Sequence, residues 1–357
     1  MPDLSVVMPV YNGARFLHSA IDSILVQTHA DFELLVVNDA SQDESANVVR
    51  GYDDPRVRLF ENESNLGLAG TLNRALSLAT APLVARHDQD DVSHPRRFEW
   101  QIGYLARHPD IVLLGSQATV IDEAGNPIGQ LDVSLQQASI RWALIFDNTF
   151  VHSSVMFRRE VILAAGGYSD FRQCEDYELW SRIALRYQVA NLPDRLLSYR
   201  QHGASMMGSL VGAKANRSIA ENRFIIGRML EQVFGHSFPD AEVDLAARLR
   251  LGIDGADLNR FWGLYKRLLR EYMARYPEAN GSPDLLRTVG EHARRISRGL
   301  SNRDRAAALH ALVLGCRYDP RLLISGRGLR TLASIVSGNR GNNLYASLLR
   351  WRASRSG

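Results

Sequence analysis

The sequence has little cysteine: Cys174 and Cys316 are the two in 357 residues. With no paired spacing, they exclude a cysteine-built metal site and a disulfide framework, and they suit a reduced compartment. No run of about 18 uninterrupted apolar residues occurs, so no membrane-spanning helix is expected. The N-terminus, Met1-Pro2-Asp3-Leu4-Ser5-Val6-Val7, enters a strand-like run without the basic segment, apolar stretch and cleavage site of an export signal. Low-complexity tracts are missing as well, which excludes extended disorder, and no internal repeat is apparent. These absences together predict a cytoplasmic, folded chain.

What is present fits a globular protein with a real core. Hydrophobic residues make up 45% of the chain and charged residues 23%, close to the averages for soluble domains. A length of 357 residues predicts one large domain with a smaller appendage. The net charge of +3 conceals an asymmetry. Residues 1–200 hold 17 Lys and Arg against 26 Asp and Glu, a balance of −9, whereas residues 201–357 hold 25 against 13, a balance of +12. A basic second half can meet anionic lipid, a phosphorylated acceptor or nucleic acid, but arginines spread along helices are more often a solvated face. No nucleic-acid partner is expected.

Periodicity organises the first half as alternating strands and helices, the pattern of a mostly parallel α/β sheet. Residues 4–10 read as the first strand. Leu17, Ala20, Ile21, Ile24 and Leu25 recur at helical spacing over 14–27, and 32–37 form the second strand. Ser41 followed by Glu44 has capping-box spacing and predicts a helix toward Tyr52. A short strand over 57–60 and a helix carrying Leu68, Leu72, Ala75, Leu76 and Ala79 come next. The strand over 83–87 then runs into Asp88-Gln89-Asp90-Asp91, which places an acidic run at the C-terminal end of a strand, where open α/β sheets gather ligands. Pro95 suits the start of a helix to Arg107, and 111–115 is a further strand. Beyond it the reading gives a turn at 123–127, a strand at 154–157, a helix over 175–187, and short strands near Val189 and at 196–199. From Val211 helical patterns dominate, broken near 235–240, 277–283 and 319–320. The domains are therefore drawn as 1–205 and 206–357.

Five motifs stand in a particular order: Val7-Met8-Pro9-Val10-Tyr11-Asn12, Val36-Val37-Asn38-Asp39-Ala40-Ser41, Asn65-Leu66-Gly67, Asp88-Gln89-Asp90-Asp91 and Glu175-Asp176-Tyr177-Glu178-Leu179-Trp180. Together they resemble the family 2 glycosyltransferases of the GT-A fold over about residues 4–205, with the helical C-terminal region outside the match. The resemblance implies a Rossmann-like mixed sheet flanked by helices, binding a nucleotide diphosphate sugar. It implies that Tyr11 packs near the base and that Asp39 accepts its ring N–H, with backbone near Pro9 helping. The other reading of those two residues is a ring covering the sheet end and a carboxylate capping the helix behind it. Arg74 is implied beside the nucleotide, or else faces solvent. Three carboxylates in four residues repel one another unless a cation lies among them, and the resemblance implies Asp88 at the ribose side and Asp90 at a Mg²⁺ or Mn²⁺ ion. Asp91 can instead cap the next helix. His202, in Tyr-Arg-Gln-His, resembles a second metal-side ligand.

The same resemblance makes Asp176 the catalytic base, with Glu175 competing for that role, and puts His152 near the acceptor or donor sugar. A sugar hydroxyl is a weak nucleophile at neutral pH, so a carboxylate must take its proton as the new bond forms. The reaction implied is inverting transfer from a nucleotide diphosphate donor, with uridine the expected base, to a hydroxyl of a saccharide or glycolipid. Two absences narrow it. The Gln-x-x-Arg-Trp signature of processive synthases is missing, so one sugar per encounter is expected. No glycine-rich phosphate loop follows the first strand, which speaks against a nucleotidyltransferase. A non-catalytic nucleotide-sugar scaffold is the remaining alternative. The apolar, aromatic and basic tail Leu344-Tyr345-Ala346-Ser347-Leu348-Leu349-Arg350-Trp351-Arg352 suggests peripheral contact with the cytoplasmic membrane face.

Overall fold

A computed structural model of the chain describes residues 2–203 and 213–337. Both the domain division drawn at 205/206 and the tail over 344–352 lie outside the described residues. By compactness the chain forms two units, one of Met1–Arg141 with Asn148–Ile225, the other of Trp142–Asp147 with the chain from Ile226 onward.

Among its described residues the first unit is built on nine strands. Strands β1 (Leu4–Val10) and β2 (Phe32–Asn38) are buried at every position, which is why they read as unbroken apolar runs rather than alternating ones. Strands β3 (Val57–Glu61) and β4 (Leu83–Arg86) join them in a parallel β3-β2-β1-β4 array. Helices α1 (Ala14–Leu25), α2 (Ser45–Arg50) and α3 (Gly67–Leu78) make the crossovers, and α1 buries Leu17, Ala20, Ile21 and Ile24. Parallel pairing sends the C-terminal ends of β1, β2 and β4 to one edge. The Asp39 N–H donates to Val10 O and the His87 N–H to Val7 O, which sets those three exits side by side.

The sheet then becomes mixed. Past β5 (Val92–Ser93) and α4 (Arg97–Arg107), the long strand β6 (Ile111–Ile121) forms a hairpin with β7 (Pro127–Leu131). After α5 (Gln137–Leu144) comes β8 (Met156–Arg158), inserted antiparallel between β4 and β6. Helices α6 (Arg159–Ala164) and α7 (Glu175–Arg186) precede β9 (Gln188–Arg200). The two short strands expected near Val189 and Leu196 are this one strand, which lies parallel to β6 and carries irregularities where Pro193 and Asp194 fall. Proline cannot donate to a ladder, and a bulge lets the strand continue past it. Strand β5 pairs antiparallel with β9, so the chain just past the acidic run meets the end of β9.

The helical unit holds α9 (Asp240–Leu251), α10 (Leu258–Arg275), α11 (Pro283–Leu300), α12 (Arg305–Tyr318) and α13 (Gly326–Ser337), with the three expected breaks and two the sequence reading did not give, between α9 and α10 and between α11 and α12. Helix α8 (Ala213–Phe234) passes from one unit into the other. Ser282 caps α11 by accepting the Leu285 N–H, with Pro283 at the first helical position, and Asp304 caps α12 through the Ala307 N–H. Trp142 Nε1 donates to Tyr265 Oη at 3.0 Å, which lies 2.8 Å from His292 Nδ1. Asp147 lies between Arg250 (2.9 Å) and Arg295 (2.5 Å). No described helix is long and apolar enough to cross a membrane.

Candidate active site

The loops leaving β1 and β2 are stitched together before any ligand arrives. The Asn12 N–H donates to Ser41 Oγ (3.0 Å), Gln42 N–H to Asn12 Oδ1 (2.8 Å), Gly13 N–H to Ser45 Oγ (2.9 Å) and Ala14 N–H to Asp43 Oδ2 (3.0 Å). Ser41 is thus used up by Asn12, and the capping box expected with Glu44 does not form; α2 begins at Ser45 instead. Asn12 (φ 50°) and Ala40 (φ 56°) both sit in the left-handed region, a strained geometry that clusters at functional rims. Pro9 is buried within β1 opposite Val37, while the Tyr11 ring is 47% exposed at the strand's exit.

Asp39 is buried at the end of β2 and holds several groups at once. Its Oδ1 accepts Asn62 Nδ2 (2.6 Å) and the Leu66 N–H (2.7 Å), and its Oδ2 accepts the Gly67 N–H (3.0 Å). The helix-capping reading of this residue is therefore present, on α3, and it leaves Oδ2 with room for one more donor. Gly67 takes φ +73°, which the turn into α3 requires. Arg74 turns to the end of β3, donating to Glu61 O (2.8 Å) and to Asn62 Oδ1. It reaches Asp39 only through Asn62.

The acidic run gathers as its spacing suggests. Ligand oxygens of Asp88, Asp90 and Asp91 lie within 4.8 Å of one another. Asp88 pairs with the fully buried Arg86, and its N–H donates to Ser153 Oγ (2.8 Å). Asp90 Oδ2 is 2.8 Å from His202 Nε2. Asp91 accepts the Arg200 N–H (2.8 Å) rather than capping α4, and its other oxygen, Oδ2, is buried with no hydrogen-bond partner. Burial first, then repulsion from Asp88, raises the proton affinity of Asp90 and of Asp91, Asp91 most strongly. An orphaned buried oxygen, mutually repelling carboxylates and a nearby imidazole form a donor set that suits a hard divalent cation such as Mg²⁺ or Mn²⁺.

A second acidic centre opens α7. Asp176 Oδ2 accepts Asn148 Nδ2 at 2.7 Å and lies 3.9 Å from His152 Nδ1; Oδ1 accepts the Tyr177 N–H at 2.6 Å. His152 Nε2 meets Tyr168 Oη at 3.0 Å. Burial, with Arg86 nearby, holds His152 well below the usual imidazole range, so the ring is neutral at pH 7 and forms no ion pair with Asp176. Glu175 is 3% exposed, and burial beside Asp176 pushes its carboxyl up to about 8. The turn over His152–Ser154 joins the two centres: Ser153 holds the Asp88 N–H, and its neighbour His152 sits against Asp176. Of the residues singled out in the sequence, Asp88, Asp90, His202, His152, Glu175 and Asp176 thus form one linked set; Tyr11 joins it through the Gln89 side chain, which bonds the Tyr11 backbone, and Asp39 through the loops.

A family model described as glycosyl transferase family 2 matches residues 5–163. The O-antigen biosynthesis glycosyltransferase WbnJ of Escherichia coli is 34% identical over 235 residues, covering 64% of this chain and 91% of WbnJ. The chain belongs to glycosyl transferase family 2. The amylovoran biosynthesis glycosyltransferase AmsE of Erwinia amylovora is 35% identical over 219 residues, 58% of this chain and 79% of its own. Among solved structures, Staphylococcus aureus TarS 1-349, seen in complex with UDP-GlcNAc, superposes with a TM-score of 0.54 at 14% identity, covering 89% of this chain and 90% of TarS. That likeness shows the fold: a GT-A mixed sheet flanked by helices and followed by a helical region.

Around these side chains of the glycosyltransferase lie residues that motif spacing did not single out. Arg86 sits beneath Asp88; Asn148 bonds Asp176; Ser153 bonds the Asp88 amide; and Asn73 clasps the Tyr168 peptide, donating to its carbonyl and accepting its N–H, both at 2.8 Å. Gly167, at φ +67°, passes so close to Asn73 that a Cβ would lie 2.5 Å from Oδ1. The only sequence signal for these residues is their adjacency to the motifs.

Proposed function

We propose that this family 2 glycosyltransferase moves one sugar per encounter from a nucleotide diphosphate donor, with uridine as the base, to a hydroxyl of a saccharide or glycolipid, inverting the anomeric centre. Asp176 takes the proton of the acceptor hydroxyl while its oxygen bonds to the anomeric carbon. The bond from that carbon to the diphosphate oxygen breaks on the opposite face, so no covalent enzyme intermediate forms. Tyr11 packs on the base, Asp39 offers its remaining lone pair to a ring N–H, Pro9 supplies backbone, Asp88 takes the ribose side, and Arg74 closes the nucleotide end. His152 and Glu175 line the sugar side. Asp88, Asp90, Asp91 and His202 would hold Mg²⁺ or Mn²⁺, which when bound offsets charge growing on the departing diphosphate.

The observation that carries this reading is the His152–Ser153 turn, in which His152 sits against the α7 carboxylate of Asp176 and Ser153 Oγ accepts the Asp88 N–H of the acidic cluster. Work in surface polysaccharide or glycan assembly is supported by the O-antigen and amylovoran biosynthesis roles in the names of WbnJ and AmsE, and a uridine nucleotide by the ligand seen on TarS. A station at the cytoplasmic face of the membrane rests on the arginine excess after residue 200. The test is Asp176→Asn assayed with a panel of uridine diphosphate sugars and Mn²⁺. Transfer should fall by about 10²–10⁴-fold with donor affinity nearly unchanged. Normal turnover by that variant ends the assignment.

A further inference from the structure

Between the two outer acids of the D-x-D motif the chain carries glutamine, and the side chain of Gln89 does not point at the cation donors' task. Its Oε1 accepts the Tyr11 N–H at 2.9 Å, and its Nε2 donates to Tyr11 O at 3.2 Å, so one carboxamide holds both backbone polar groups of one residue. Gly13, two residues on, is shaped to this grip. A Cβ there would stand 2.2 Å from Gln89 Oε1 and 2.4 Å from its Cδ, although the backbone of Gly13 (φ −109°) suits any residue. The glycine is needed for space and not for conformation. Tyr11 is 47% exposed, so the hold on its backbone helps to set where the ring stands.

We propose that Gln89 is a positioning residue for nucleotide binding: it ties the loop that presents Tyr11 to the loop that presents Asp88 and Asp90, setting the spacing between base and diphosphate. The proposal rests on the nucleotide reading of Tyr11. Two neutral hydrogen bonds at the usual net strength make Gln89→Leu weaken uridine diphosphate binding by about fivefold to a hundredfold, measured calorimetrically with saturating Mn²⁺. If Gln89 acts through Tyr11, the double variant Gln89→Leu/Tyr11→Ala binds no more weakly than Tyr11→Ala alone. Gly13→Ala, which displaces the Gln89 side chain, reproduces the loss, and adding it to Gln89→Ala has no further effect. Affinity for Mn²⁺ alone, followed by water-proton relaxation, stays at the wild-type value in Gln89→Leu, because the carboxylates are untouched; a general collapse of the loop would lower it. Additive losses in the double variant, or weakened Mn²⁺ binding, overturn the proposal while the nucleotide reading stands. A Tyr11→Ala enzyme that binds uridine diphosphate as wild type does removes the nucleotide reading of Tyr11, and this proposal with it.

Discussion

Glu175 and Asp176 share a helix start but not an environment. Glu175 is almost wholly buried, and its carboxyl, pushed up to about 8, is protonated at pH 7. A protonated acid cannot accept the hydroxyl proton, so within the proposed reaction this favours Asp176 over Glu175 as the base; the Asp176 oxygens take N–H donors from Asn148 and Tyr177. Glutamine reproduces the neutral shape of Glu175. We expect Glu175→Gln to keep kcat/KM within about tenfold at pH 7, against a loss of about 10²–10⁴-fold for Asp176→Asn. The same residue affects stability with a defined sign. Its folded-state proton affinity is raised, so its contribution is full below the unfolded value and is lost as pH climbs toward 8; Glu175→Gln should flatten that decline. Equal inactivity of the two variants would return Glu175 to the role of base.

At the scale of elements, strain and register decide where sequence reading succeeds. Ala40 ends β2 at φ 56°, a conformation that costs an alanine about 1–2 kcal/mol and a glycine almost nothing. Ala40→Gly should therefore stabilise β1 and β2 by about 0.5–1 kcal/mol, net of glycine's greater unfolded-state freedom, read as slower hydrogen exchange in those strands; faster exchange would show that the turn stores no strain. The central strands and α1 were legible because a buried parallel strand is a continuous apolar run and an amphipathic helix is periodic, both local properties. The long β9 was read as two pieces because Pro193 hides continuity that only a bulge against β6 restores. The hairpin strand β7 and helix α5 carried no sequence prediction, and β8 was placed two residues early, since their identities depend on partners far away in the chain. Among site residues, carboxylates in recognisable motifs were legible. Arg86, Asn148 and Ser153 were not, because their contacts are created by packing: an arginine under an acid, an amide against the Asp176 carboxylate, a hydroxyl at a backbone N–H.

Across the whole molecule, acid should separate the two units. In the helical unit His292 is buried against Tyr265, and burial, with Arg295 adding to it, drives its imidazole down to about 3, outweighing Asp147 and Glu291. An unfolded histidine takes a proton near pH 6.5, so from there toward 3 the unfolded chain binds more protons, and stability falls by about 1.4 kcal/mol per pH unit. Glu291, held below the usual carboxylate range chiefly by Arg294 against the pull of burial, loses its contribution in the same direction at still lower pH. The sheet unit has buried neutral His87 and His152, which act likewise, but there the raised carboxyls of Glu175, Asp90 and Asp91 gain protons on folding and oppose the loss. With chelator present, acid titration of the full chain followed by hydrogen exchange should expose α10 and α11 at a higher pH than β1 and β2. His292→Gln keeps an acceptor for Tyr265 and removes the titrating ring, so it should shift the helical transition to lower pH and leave the sheet transition where it was. If α10 and α11 in that variant open at the wild-type pH, the acid sensitivity of the helical unit has another source, and the buried imidazole is merely packed there.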